Sequence, residues 1–218
     1  VVDSIGRLMG RITIDDVVDV IQEEAERDYQ MASGLSEDVE TTDNAWILTR
    51  ARLPWLLIGL LGGILVALVL GGFETDLLKY PQLAFFIPLI GAMAGNVGIQ
   101  SSAIIVQSIA SNTLGLESTF QKLLKEFFVA LMNGLVLSVL IFLYNYIAYD
   151  TLAFTYTVSI SLFIVIIFAA LFGTLIPLFL NKLKFDPALA TGPFITTMND
   201  IMGLLIYFFM ARMLFDYF

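Results

Sequence analysis

The sequence predicts an all-α integral membrane protein with five transmembrane helices. Three observations carry that prediction. Hydrophobic residues fill 58% of the 218 positions and charged residues only 14%, where a soluble domain carries about 25% charge. Mean hydropathy is +0.87. Five apolar stretches, each reaching the roughly 20 residues that cross a bilayer, follow a polar and acidic first 50 residues. That polar start fits no signal-peptide pattern. The chain has no Cys and no His, so disulfides, thiolate metal sites and imidazole ligands are excluded. A bound metal must be held by oxygen, which favours Mg²⁺, Ca²⁺ or Mn²⁺. The net charge is −9, and residues 1–52 hold twelve acids against five bases. This acidic balance argues against nucleic acid as a partner.

Taken in order, Val1 to Ile12 reads as a strand fragment. Thr13 suits a helix N-cap, with Asp15 and Asp16 in the first turn, where the helix dipole favours negative charge. The helix carries Val17, Val18, Val20 and Ile21 and continues through Glu23, Glu24, Glu26 and Asp28. A lone strand and helix cannot bury a core, so the chain is expected to begin inside a domain whose earlier part lies outside this sequence. Ser33 to Asn44 is a polar, acidic linker punctuated by Gly34. Ala45 to Arg52 leads to the membrane.

Hydropathy and span length place the five helices at about 53–73, 82–111, 124–148, 152–180 and 187–216. Pro81 suits the first turn of the second. Trp55, Tyr80, Tyr146 and Tyr149 fit an interfacial aromatic belt. Gly173 or Pro177 is a candidate bend in the fourth. Basic residues set the orientation. Arg50, Arg52, Lys122, Lys125, Lys182 and Lys184 fall on one side, and Lys79 and Arg212 on the other. Six against two places the N-terminus in the cytoplasm and the C-terminus outside.

One residue stands out chemically. Asp200 sits near the middle of the fifth span, and a carboxylate at that depth costs about 2.5 to 3.5 kcal/mol even on lenient scales. It is expected to face a water-filled path or a partner. Thr196, Asp200, Gly203 and Tyr207 share a helix face. Pro193, one to two turns earlier, is expected to free backbone carbonyls beside the acid. On the second helix, Gly91 and Gly95, and Ala94 and Gly98, are spaced for close helix approach. Asn96, Gln100, Ala103 and Gln107 form a narrow polar stripe there. Interhelical hydrogen bonding and a pore wall both account for that stripe. Pro88 to Met93 and Pro193 to Met198 both read Pro-x-Ile-x-x-Met on helices of opposite direction, a weak internal repeat.

A single acid suits Mg²⁺, which dehydrates reluctantly and binds through one or two carboxylates while keeping several waters. Ca²⁺ takes six to eight oxygens directly, and this helix offers few. A two-fold axis through the pore would present two such acids, which points to a homodimer. An intramembrane aspartyl protease needs two acids at one depth, and the Asp200 depth offers one, so the chain is not read as an enzyme. A purely structural anchor would not need polar stripes on two helices.

These residues resemble the MgtE family of magnesium channels and transporters, related to the animal solute carrier family 41. The resemblance runs through Gly10-Arg11-Ile12-Thr13 and Asp15 to Ile21, then Arg52 to Leu56, Gly95-Asn96-x-Gly98-x-Gln100-Ser101, and Asp186-Pro187-Ala188 through Gly192-Pro193 to Asp200. It implies a homodimeric, Mg²⁺-selective and Mg²⁺-gated channel in the cell (inner) membrane, with the pore between the second and fifth helices of each subunit. It assigns residues 1–21 to the end of a second CBS domain, 22–49 to a connecting plug helix and linker, and 50–218 to the pore domain. Asp200 is then the pore Mg²⁺ ligand, with Thr196, Gly95, Asn96 and Gly192 at the site and Gln100, Thr197, Asn199 and Ile99 along the pore. Asp16, Asp19, Glu24 and Asp28 fall on the acidic interface where regulatory Mg²⁺ closes the pore, interrupted by Arg27. Ile99 and Gly192 stand where some relatives carry Asn. A broader Mn²⁺/Co²⁺ transporter, or a cation exchanger, is the alternative on the same scaffold.

Overall fold

In the computed structural model of the chain, which describes residues 1, 3–111, 118–187 and 192–215, the apolar stretches fold into long helices. No strand occurs among the described residues. The order is α1 (Ile14–Ala32), α2 (Ala45–Gly72), α3 (Glu74–Lys79), a 3₁₀ turn (Pro81–Phe86), α4 (Ile87–Ala110), α5 (Thr119–Ala148), α6 (Leu152–Lys182) and α7 (Pro193–Phe215). Five helical segments are long and apolar enough to cross a membrane: α2, the 3₁₀ turn with α4, α5, α6 and α7. The chain is therefore a multi-pass membrane protein, as its composition requires. The α1 end of the bundle gathers the start of α2, the end of α4, the start of α5, the end of α6 and the start of α7.

Capping decides the helix starts that hydropathy misses. Thr13 and Asp16 form the predicted cap as a full capping box. Asn44 accepts from the Ile47 amide at 3.1 Å, so residues 45–52, expected as a lead-in, are already helix. Ser118 and Gln121 close a second capping box, starting α5 five residues before its apolar run. Pro193, expected inside the fifth span, is instead the first residue of α7. The stretch at 1–12 is not a strand; it holds turns and one isolated bridge residue, Leu8. A strand needs a neighbouring ladder to satisfy its backbone, and no described segment offers one. The helix α1 also runs without interruption across residue 21.

The core is built around α6, which packs against α4, α5 and α7, while α2 leans on α7. Phe154, Val158, Val165, Ile166 and Ala169 of α6 are fully buried, against Ile90 and Ala94 of α4 and Tyr207 and Phe208 of α7. Lipid tails are as apolar as these side chains, so close fit rather than water exclusion holds such helices together. Small residues mark the closest approaches. A Cβ on Gly173 would overlap the carbonyl oxygen of Gly98, and one on Gly98 would overlap Asn199. A Cβ on Gly203 would press on Ala94 at 3.2 Å. At the far end the Tyr207 hydroxyl donates to the Leu83 carbonyl at 3.1 Å. There Arg212 pairs with Asp76 at 2.8 Å and lies over the Phe73 ring at 4.6 Å. Trp55, expected in the aromatic belt, is 9% exposed, with its Cβ 3.8 Å from where Gly34 would carry one.

Gly173→Ala is expected to destabilise the bundle by about 1 to 3 kcal/mol, because the added methyl meets backbone that cannot rotate away. The readout is a lower melting temperature of the purified protein in detergent, with α6 helicity retained.

Candidate metal centre

Asp200 opens on a cavity of about 330 Å³ between α4 and α7. Its walls include Gly91, Gly95, Asn96 and Ile99 from α4, Thr196 and Leu204 from α7, and Val66 from α2. The carboxylate fits because α4 presents glycine to it. Asp200 Oδ1 lies 3.4 Å from where a Cβ on Gly91 would stand and 3.8 Å from one on Gly95. A side chain at Gly95 would also meet the Thr196 methyl at 3.1 Å. The two glycines, spaced for helix approach, thus clear the floor of the site. Asp200 is half-buried and has no hydrogen-bond or ion-pair partner among the described residues. A carboxylate held this way at span depth attracts a cation, by Coulomb forces that strengthen as water is excluded.

The Thr196 hydroxyl donates to the Gly192 carbonyl at 3.0 Å, and the Thr196 amide reaches the same oxygen at 3.2 Å. Because Pro193 opens the helix, its missing N–H breaks no bond there. The carbonyl that the missing Pro193 N–H would leave free, at position 189, lies outside the described residues; the Gly192 carbonyl is engaged. Pro88 likewise lies in the first turn of α4, so neither Pro-x-Ile-x-x-Met stretch interrupts its helix.

The other residues singled out in the sequence separate. Asn96 and Ile99 line the Asp200 cavity with Gly95 and Thr196. Gln100 instead lines a second cavity on the α5 and α6 side of α4. Thr197 packs onto Gly62 of α2 and Asn199 onto Gly98 of α4. Asn199 is fully buried, and neither side-chain polar atom has a hydrogen-bond partner among the described residues. Gly192 takes a left-handed φ of 58° and sits where a Cβ would lie 3.0 Å from the Ala32 carbonyl. It packs against the end of α1 and is not among the residues that line the cavity. Pro88, noted in the sequence only for its Pro-x-Ile-x-x-Met stretch, and Ala92 lie on the open side of the cavity. Asn96, Pro88 and Ala92 are exposed, so the cavity is a groove on the flank of the bundle.

The acidic helix α1 docks by its last turn. Gly34, at φ 79°, ends it with amide bonds from Gly34 to Met31 and from Leu35 to Gln30, each 3.0 Å. A Cβ on Gly34 would stand 3.4 Å from the Pro193 ring. Ser36 donates its amide and hydroxyl to the Ala51 carbonyl at 3.0 and 2.9 Å. Glu37 pairs with Arg50 at 2.8 Å. Asp16 is occupied locally: its Oδ2 accepts from the Thr13 amide and hydroxyl, both at 2.7 Å, which holds its carboxyl below the usual range. Asp19 and Glu24 are exposed. Burial, then the nearby charges of Asp186 and Glu24, push the Asp28 carboxyl up, with Arg27 partly opposing. Among the described residues no three acidic side chains gather closely enough to hold a metal. Glu24 lies near enough to act on Asp28, but Asp16, Asp19, Glu24 and Asp28 do not form a group of three or more.

Residues 87–210 match the family model MgtE, described as a divalent cation transporter. The chain is 36% identical to the magnesium transporter MgtE of Bacillus subtilis strain 168 over 97% of its own length and 47% of that protein. Over 99% of its length it is 37% identical to the magnesium transporter MgtE of Thermus thermophilus, covering 48% of it. The match to the Enterococcus faecalis magnesium transporter MgtE is 36% over the whole chain and 48% of the relative. The chain spans about half the length of the curated relatives it matches.

Asp28→Asn is expected to raise thermal stability at neutral pH by under about 1 kcal/mol, since solvent screens a group this exposed. A carboxyl with a raised folded-state pKa carries no penalty below its ordinary value, and the penalty grows as pH rises through the folded value. The gain should therefore vanish near pH 3. A melting series from pH 3 to 8 on both proteins is the check.

Proposed function

The chain belongs to the MgtE family of divalent cation transporters, and from that premise we propose that it carries Mg²⁺ across the cell membrane through a path lined by Asp200. The single observation behind this reading is the Asp200 carboxylate, seated on Gly91 and Gly95, open to a groove and without a partner among the described residues. Mg²⁺ binds through one or two carboxylates and retains water. A groove walled by one acid, the Asn96 amide and the Thr196 oxygen suits a partly hydrated ion. An inside-negative potential supplies about 4.6 kcal/mol per 100 mV for a divalent ion moving inward, twice the single-charge value. Transport therefore needs no nucleotide.

The active form in this proposal is a homodimer. The groove is open on the side of Pro88, Ala92 and Asn96, and a two-fold partner placed there would bring a second Asp200 to the same path. The N-terminus and the α1 end face the cytoplasm, by the excess of basic residues at that end. Residues 50–218 form the pore domain, 22–49 the plug helix and linker, and 1–21 the end of a CBS domain. Regulatory Mg²⁺ acts at the α1 end, where Asp28 and Asp186 repel across the junction with α7 and a divalent cation would relieve the repulsion. Asp16, Asp19 and Glu24 are assigned to the same control. Ile99 in the groove wall removes an oxygen donor, which favours the second reading, transport of Mn²⁺ and Co²⁺ as well.

Asp200→Ala is expected to lower Mg²⁺ flux into proteoliposomes by at least about tenfold, equivalent to about 1.4 kcal/mol at the site, with insertion unchanged. Flux at the wild-type level would overturn the assignment, and parallel Mn²⁺ and Co²⁺ assays decide the breadth of selectivity. The chain holds no Cys, so Ala92→Cys provides a clean probe of the dimer. It is expected to cross-link two copies in membranes on mild oxidation, while Leu143→Cys, exposed on α5, should not.

A further inference from the structure

A second cavity, of about 550 Å³, lies between α4, α5 and α6 and reaches the α1 end of the bundle. It is unrelated to Asp200, whose groove lies on another side of α4. Its mouth carries Lys122 and Lys125, three residues apart and so on one face of α5. Glu126, on the same helix, accepts a hydrogen bond from the Ser101 hydroxyl at 2.6 Å. The charges lining the cavity thus sum to +1, and two ammonium groups at the entrance repel a metal ion. Deeper in, the lining turns apolar, through Val97, Ile105, Val129 and Ile166. Within this apolar part stands Thr174, 1% exposed. Its hydroxyl has no hydrogen-bond partner among the described residues. Thr174 is eight residues before the end of α6, which puts it roughly 12 Å below the helix end. A buried donor without a partner is costly, by about 1 to 3 kcal/mol, and calls for a ligand atom.

We propose that this cavity binds an anionic phospholipid from the leaflet at the α1 end, with the phosphate on Lys122 and Lys125 and a glycerol ester oxygen on the Thr174 hydroxyl. Cationic ends and an apolar, hydroxyl-bearing depth match the polarity gradient of one lipid molecule. Basic pockets between transmembrane helices bind such head groups, each cation near the surface contributing about a fivefold attraction. A free phosphate ion would use the mouth and leave the depth unfilled. Glu126, held by Ser101, sets a boundary that turns the anionic head toward the lysines.

The test is native mass spectrometry of the full chain in detergent, titrated with phosphatidylglycerol, phosphatidylcholine or inorganic phosphate. Phosphatidylglycerol is expected to stay bound where phosphatidylcholine does not. Lys122→Gln with Lys125→Gln should weaken its retention about thirtyfold, from two fivefold steps. Thr174→Val, close to the same shape, should weaken it several-fold without lowering lipid-free melting, and it stands as the test if the double variant does not fold. Lys182→Gln with Lys184→Gln, at the same end of the bundle but outside the cavity, should have no effect. Equal retention by wild type and the Lys122/Lys125 variant would overturn the proposal. So would an equal loss in the Lys182/Lys184 variant, or displacement of the lipid by millimolar phosphate.

Discussion

One negative charge in an apolar helix governs the arrangement of α4 and α7. A carboxylate at that depth is tolerated only where something polar can reach it. The chain meets this by clearing α4 rather than by pairing the acid. Gly91 and Gly95 remove the side chains that would otherwise cover Asp200, and Asn96 and Thr196 supply polar groups around the opening. The same glycines that allow two helices to approach closely also keep the acid accessible. Helix contact and ion access are served by one pair of small residues.

The bundle behind this groove is rigid where it must be. Gly98, Gly173 and Asn199 meet so closely that no Cβ fits on either glycine. This three-helix contact fixes the height of Asp200, one residue after Asn199, relative to α4. The buried amide of Asn199 has no hydrogen-bond partner among the described residues, so the register of α7 there rests on shape complementarity. At the far end the Tyr207 hydroxyl bond to Leu83 and the Arg212 pair with Asp76 tie α7 down. At the near end Gly192 and Pro193 pack against the last turn of α1. The last turn of α1 thus touches the start of the helix that carries Asp200. At that joint burial, and then the charges of Asp186 and Glu24, push the Asp28 carboxyl up.

The elements that sequence reading placed well are those governed by local chemistry. The Thr13 cap and the five spans follow from capping residues and hydropathy. The misplacements share a cause. The segment 1–12 has strand-like residues but no ladder to join. Pro193 looks like a helix breaker, yet it starts a helix, because a proline suits a first turn as well as it disrupts an interior one. The polar stripe Asn96 and Gln100 differs by about 40° around α4, enough to put its two amides into different cavities once neighbours pack on both sides.

By itself the sequence determined the class of the protein, the number of crossings and the one acid around which a cation path can form, because burial of charge and of backbone in lipid leaves few alternatives. The tertiary structure decided which side each polar residue faces. It split the candidate pore residues among a groove, helix contacts and a second, basic cavity behind α4. Those assignments depend on helix rotation and on contacts between residues far apart in the chain, neither of which is encoded in local hydropathy.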